Sequence, residues 1–158
     1  MKTIEFTKLN AEGSKKVVEA LQQLLADYQI FYTNLRGFHW NLKGKDFFIN
    51  HAKFEELYDN AAEKVDEIAE RILMLGGTPN HNFSDYLKTA KLKETGLVTD
   101  GDTGLKNVLE SYAYFIESER NIIKLAEAID DEATVAQMSD YIKEQEKMVW
   151  MLVSYFEK

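Results

Sequence analysis

Apolar residues recur at spacings of three and four along most of the chain, the period of a helix with one buried face. The first such run extends from about Ser14 to Trp40, with Val17, Leu21, Leu24, Leu25, Tyr28, Phe31, Tyr32 and Leu35 in register. A polar break, "NLKGKD", ends it. A second run begins near Phe47, where Asp46 is a candidate N-cap, and stops at Gly76-Gly77 with Pro79 just beyond. A connection from about Gly76 to Gly101 follows. It contains "FSDYLKTAKL", where Ser84 is placed to cap a short helix and Tyr86 and Leu87 to pack inward. A third run, about Thr103 to Ile129, and a fourth, about Ala133 to Phe156, are separated by "DDEAT".

Four long helices and essentially no strand signal predict an all-α protein built as a four-helix bundle. Short first and third connections make antiparallel hairpins. The long second connection crosses the length of the bundle, and a short helix within it keeps so long a segment ordered. This is the single-crossover, ferritin-like arrangement. At 158 residues, without repeats or compositional shifts, the chain reads as a single domain over 1–158, with 1–13 a short N-terminal tail.

Composition narrows the chemistry. With no cysteine, disulfides and thiolate metal sites are excluded. The sequence shows no apolar run of membrane-span length, and "MKTIEFTKLN" has no signal-peptide apolar region, so a cytoplasmic protein is expected. The formal net charge is −8, which attracts cations and opposes nucleic acid. Lys2, Lys8, Lys15 and Lys16 against Glu5 and Glu12 make the N-terminus only mildly basic, a solvated segment rather than a basic arm.

Only three histidines occur, and His39 and His51 flank the first turn. In an antiparallel hairpin, residues equally far from the turn face each other, so these two imidazoles converge as candidate metal ligands. Two histidines alone also fit an unrelated pair, one partly buried and one solvated. The second helix adds carboxylates. Glu55 lies four residues after His51 on the same face, and Asp66 and Glu70 are four apart within an alanine-rich stretch. A solvated acidic face, neutralised by Lys64 and Arg71, is the competing reading of that pair.

Helix geometry decides how they cooperate. Fifteen residues separate His51 from Asp66, about 22 Å along a helix at 1.5 Å per residue. Their angular offset is only about 60°. They share a side of the helix but cannot share a metal within one chain. An antiparallel copy of the helix would bring Asp66 and Glu70 beside His39 and His51 of another subunit, giving two equal sites at a two-fold interface. An intrachain di-iron site would use Glu-x-x-His motifs. The residues three before His39, His51 and His81 are Arg36, Phe48 and Thr78, so that motif is absent.

"FHWNLKG", "FFINHAKFEELYD" and "VDEIAERILMLGGTP" together resemble the signature of the Dps family (DNA-binding protein from starved cells), the mini-ferritins. The spacing from His39, twelve to His51, fifteen to Asp66 and four to Glu70, matches that family's ferroxidase pattern. The likeness covers the chain apart from its N-terminal tail and includes Trp150 in the last helix.

The resemblance implies a hollow homododecamer that oxidises Fe(II), preferably with hydrogen peroxide, and stores ferric mineral. It also implies ferroxidase sites at two-fold interfaces, with His39 and His51 from one subunit and Asp66 and Glu70 from its partner. Glu55 is then a further acidic ligand, and zinc or other divalent ions fit the same donors. Trp40, beside His39, is either a trap for oxidising equivalents or ordinary hairpin packing.

Glu56, Asp59 and Glu63 are either mineral-nucleating carboxylates or a solvated helix face, and Glu127, Asp130, Asp131, Glu132 and Asp140 fall where the resemblance implies a three-fold cation-entry pore, though an acidic inter-helix loop explains them equally. His81 is assigned to loop packing. The alternative function is a non-enzymatic cage or DNA-compacting protein. Twelve chains at −8 carry −96, so weak or no DNA binding at physiological salt is expected.

Overall fold

The computed structural model describes residues 3–157. Its helices are α1 (Thr3–Thr7), α2 (Ala11–Asn41), α3 (Phe47–Met74), α4 (Phe83–Thr89), α5 (Gly101–Glu127) and α6 (Glu132–Phe156), and the described residues contain no strand. The four long helices match the four apolar runs, with α4 inside the predicted crossover. Lys2 lies outside the described residues.

Capping side chains explain the earlier starts. α2 begins at Ala11 rather than Ser14 because the Asn10 side chain accepts from Gly13 N at 2.8 Å. Asp100 accepts from the amide and hydroxyl of Thr103, both at 2.8 Å, and Asp131 accepts from Thr134 N, fixing the starts of α5 and α6. Asp46 occupies the N-cap position of α3 but makes no side-chain cap bond. The predicted tail contains α1, whose residues include exposed Phe6.

Two expectations for the crossover fail. Asn82, not Ser84, precedes the first turn of α4, and no side chain caps it. Tyr86 is buried, but Leu87 is 54 % exposed. A seven-residue helix offers one narrow face to α2, and Tyr86 fills it while its hydroxyl donates to Asn80 O at 2.7 Å.

The crossover runs along α2 in register. Gln22 meets Thr78 O and Asn80 N, and Gln23 reaches Thr89 O. Asp27 accepts from Lys91 N and Leu92 N, Asn34 bonds Lys93 O and Thr95 N, and Lys43 N donates to Thr99 O. Both strings of numbers rise together, so the connection travels parallel to α2 for about 30 Å, from Gln22 to Lys43 at 1.5 Å per residue. Its backbone polar groups find partners on a polar seam of α2. This lets α5 start at the hairpin end of α2–α3.

The core is aromatic at its middle. Tyr28 and Phe115 stack with ring centroids 4.1 Å apart, and Phe31 packs edge-on to Phe115 at 5.3 Å. Nearer the hairpin, Phe38 and Phe54 lie 5.4 Å apart. Gly104 admits Phe54 there, since a Cβ at that position would come within 2.7 Å of Phe54 Cζ.

Candidate metal centre

The α2–α3 turn brings His39 and His51 together, as hairpin symmetry predicts. Their rings stack with centroids 3.7 Å apart and planes 20° from parallel. Phe47 stacks on the other side of His51 at 4.9 Å. Each histidine is tied to the other's backbone: His39 Nδ1 donates to His51 O at 2.8 Å, and His51 Nδ1 donates to His39 O at 2.9 Å.

A carbonyl oxygen only accepts, so both protons must sit on Nδ1. In the neutral rings both Nε2 lone pairs are then available to a ligand. His39 is buried and His51 half-buried, so both are held in place yet reachable.

Glu55, one turn after His51, completes the group. Candidate ligand atoms of His39, His51 and Glu55 all lie within 4.8 Å of one another, and this is the only such cluster of three or more among the described residues. Two imidazole nitrogens and a carboxylate form a mixed donor set suited to iron, and equally to zinc.

Asp66 and Glu70 stay apart from this group. Both are exposed and lie on α3, with Asp66 about 22 Å from His51 along the continuous helix. The competing reading, in which Lys64 and Arg71 neutralise them, is not what the side chains do. Lys64 Nζ pairs with Glu144 at 2.6 Å, and Arg71 pairs with Asp131 at 2.5 Å. Glu70 instead lines an open groove of about 500 Å³ between α3 and α6, with Glu63, Glu67, Asp140 and Glu144.

The remaining acidic candidates divide. Asp59 and Glu63 are exposed, whereas Glu56 is paired with Lys53 at 2.6 Å. Glu127, Asp130 and Glu132 line a small concavity at the α5–α6 turn. Asp131 also borders it but is 2 % exposed, its carboxylate taken by Arg71 and Thr134. Asp140 lies in the α3–α6 groove instead. His81 is exposed in the crossover. Trp40 is 63 % exposed, with the Arg36 guanidinium 4.8 Å from its ring centroid.

One neighbour of the centre was not foreseen. Tyr58 stands edge-on to His39, centroids 5.2 Å apart and planes at 88°. Its signal was available, because His51, Glu55 and Tyr58 fall at i, i+4 and i+7 on one helix face.

Comparison with known proteins places this architecture. Residues 18–158 match the family described as Ferritin-like domain. A "DNA protection during starvation protein" from Porphyromonas gingivalis is 45% identical over 157 residues, 99% of each chain. The chain belongs to the Dps family. Among solved structures, a Dps protein from Vibrio cholerae O1 superposes with a TM-score of 0.93 and 48% identity, covering 94% of each chain. It is described as a member of a broad superfamily of ferritin-like diiron-carboxylate proteins. A Dps protein from Bacillus brevis matches with a TM-score of 0.89 and 32% identity, covering 92% of this chain and 98% of that one. No helix of the described residues is long and apolar enough to cross a membrane.

Proposed function

We propose that this chain is a ferroxidase and iron-storage protein that oxidises Fe(II), preferably with hydrogen peroxide, and retains the ferric product inside a hollow homododecamer. It acts as a single cytoplasmic domain and protects against oxidative damage by consuming both reactants of hydroxyl-radical formation. The observation that carries this reading is the convergence of His39, His51 and Glu55 with both Nε2 atoms left free. In this reading Asp66 and Glu70 of the partner subunit complete each site across a two-fold interface, since about 22 Å of α3 separates Asp66 from His51 within one chain. Membership of the Dps family supports the same conclusion.

The ligands suit the reaction. Neutral imidazoles bind incoming Fe(II) without adding charge, and their Nδ1–H bonds to backbone carbonyls hold them in the binding tautomer. Hard carboxylate oxygens favour Fe(III), so the donor set stabilises the product of electron loss more than the substrate. Exposed carboxylates on α3, including Asp59 and Glu63, and the acidic residues Glu127, Asp130 and Glu132 at the α5–α6 turn supply a cation-attracting path and nucleation surface.

The test adds Fe(II) and peroxide under anaerobic conditions and follows ferric absorbance. Wild type forms ferric product rapidly, and a chain carrying His39→Ala and Asp66→Ala does not. Equal rates in the two would remove the site assignment.

A DNA-compacting role is the second reading, and the charge opposes it. At −8 per chain a dodecamer carries −96, which repels phosphate. Retention of plasmid in a gel at physiological salt would overturn this.

A further inference from the structure

The chain has three arginines, and two of them are paired within it, Arg71 with Asp131 and Arg120 with Glu146. Arg36 makes no ion pair or hydrogen bond among the described residues, and its Nε is buried without a partner. Its guanidinium is held instead over two rings, 4.9 Å from the Tyr32 centroid and 4.8 Å from that of Trp40. Contact with ring faces fixes the plane of the guanidinium and leaves its N–H groups able to donate. Arg36 is thus a half-buried, oriented cation whose donors are unused.

Its position ties it to the metal centre. His39 follows three residues later on α2, about 4.5 Å along the axis. Burial and the charges of Glu55 and Asp59 raise the Tyr58 hydroxyl, and Arg36 is near enough to oppose them. Tyr58 in turn stands against His39. Glu55, Asp66 and Glu70 are exposed and also lack any hydrogen bond or ion pair among the described residues. When a partner subunit sets its Asp66 and Glu70 beside His39, His51 and Glu55, three carboxylates converge on two neutral imidazoles. Before iron enters, those carboxylates repel one another.

We propose that Arg36 is a positioning residue for this shared site: it donates to the acid pair formed by the partner's Asp66 and the partner's Glu70, and holds those carboxylates beside His39 until iron takes them. This rests on the shared ferroxidase site proposed above. The charges are complementary. Each chain presents one unpaired arginine next to its histidines and one unpaired acid pair far along α3, so a single two-fold operation satisfies both ends at once. The flat guanidinium fork suits a carboxylate, which accepts two parallel N–H bonds, and removal of water at an interface strengthens them. Arg36 keeps the acids gathered in the metal-free protein, and Fe(II) displaces it rather than having to collect them.

Dissociation of the metal-free assembly on dilution, at a fixed low urea concentration and followed by light scattering, tests this in a double-mutant cycle. Arg36→Gln should dissociate at a protein concentration about tenfold or more above wild type, the loss of one charge-assisted hydrogen bond. Arg36→Lys, which keeps the charge, should lie between the two. In chains that already carry Asp66→Asn and Glu70→Gln, adding Arg36→Gln should have no further effect. Saturating Zn(II), which holds the same carboxylates, should narrow the gap between wild type and Arg36→Gln. An equal effect of Arg36→Gln in both backgrounds would show that Arg36 only packs against Tyr32 and Trp40, and would overturn the proposal. An Arg36→Gln midpoint equal to wild type would overturn it too. Ferric absorbance after Fe(II) and peroxide is read on wild type in parallel. Ferric product with an additive cycle removes the pairing alone, whereas a non-additive cycle without ferric product removes the ferroxidase reading and leaves the pairing.

Discussion

Replacing Glu119 by glutamine should change how stability depends on pH. Glu119 is fully buried in α5. Its Oε1 accepts from the Tyr28 hydroxyl at 3.1 Å and from Gln145 Nε2 at 2.8 Å, while Oε2 has no partner. Burial pushes its carboxyl up to about 8 from an ordinary 4.5, against the opposing pull of those two hydrogen bonds and of Lys64. The folded protein therefore keeps a proton that the unfolded chain gives up above pH 4.5. Between about 4.5 and 8 the unfolded state binds fewer protons, so stability falls as pH rises. Above about 8 both states are ionised and the loss is complete.

At 1.36 kcal/mol for each pH unit, the gap from 4.5 to about 8 is a penalty of about 5 kcal/mol. Roughly 3–4 kcal/mol of it develops between pH 5 and 8. Glutamine has nearly the same shape and does not titrate, and its amide can donate where Oε2 cannot. Glu119→Gln should flatten the stability profile, with the advantage over wild type growing by roughly 3–4 kcal/mol across that interval. Urea unfolding by circular dichroism at matched protein concentration measures it, since assembly couples stability to concentration. Parallel profiles for the two proteins from pH 5 to 8 would refute the reasoning.

Asp27→Ala should free the crossover from α2. It strands Lys91 N, Leu92 N and the Tyr114 hydroxyl, bonded to Asp27 at 2.6, 2.9 and 2.6 Å, at about 1–3 kcal/mol for each buried group left unpaired. Limited proteolysis between residues 78 and 100 should accelerate relative to wild type; an unchanged rate would refute the tether. Gly104→Ala forces a Cβ within 2.7 Å of Phe54 Cζ and 3.4 Å of Phe38 Cγ, and overpacking of this kind costs about 1–3 kcal/mol. Thermal melting should fall accordingly, and an unaltered midpoint would show that the α5 contact yields freely.

Much of this architecture could be read from the residues, because apolar spacing of three and four survives any packing detail. The meeting of His39 with His51 followed from hairpin symmetry, and Glu55 from its i+4 position. Other features depend on tertiary context. The exchange of Nδ1–H bonds between each histidine and the other's carbonyl depends on backbone positions that two distant helix segments set jointly.

Asp27 and Glu119 look in sequence like any acid on an amphipathic helix. Asp27 does sit among Leu24, Tyr28 and Phe31, and Glu119 among Phe115, Ile116 and Ile122, so burial was signalled by their apolar neighbours. Their partners, from the crossover and from α6, were not. Leu87 was misplaced because an apolar residue in a short helix carries no information on which of its faces meets the bundle.

The central claim is that each site is shared between chains, and subunit complementation addresses it directly. His39→Ala,His51→Ala chains and Asp66→Ala,Glu70→Ala chains should each be inactive alone. Unfolded together in equal amounts and reassembled, they form mixed pairs in half of the two-fold interfaces, and each mixed pair holds one intact site of two. Ferric-product formation from Fe(II) and peroxide should recover to about a quarter of the wild-type rate. No recovery in a fully reassembled mixture would contradict a site built between chains.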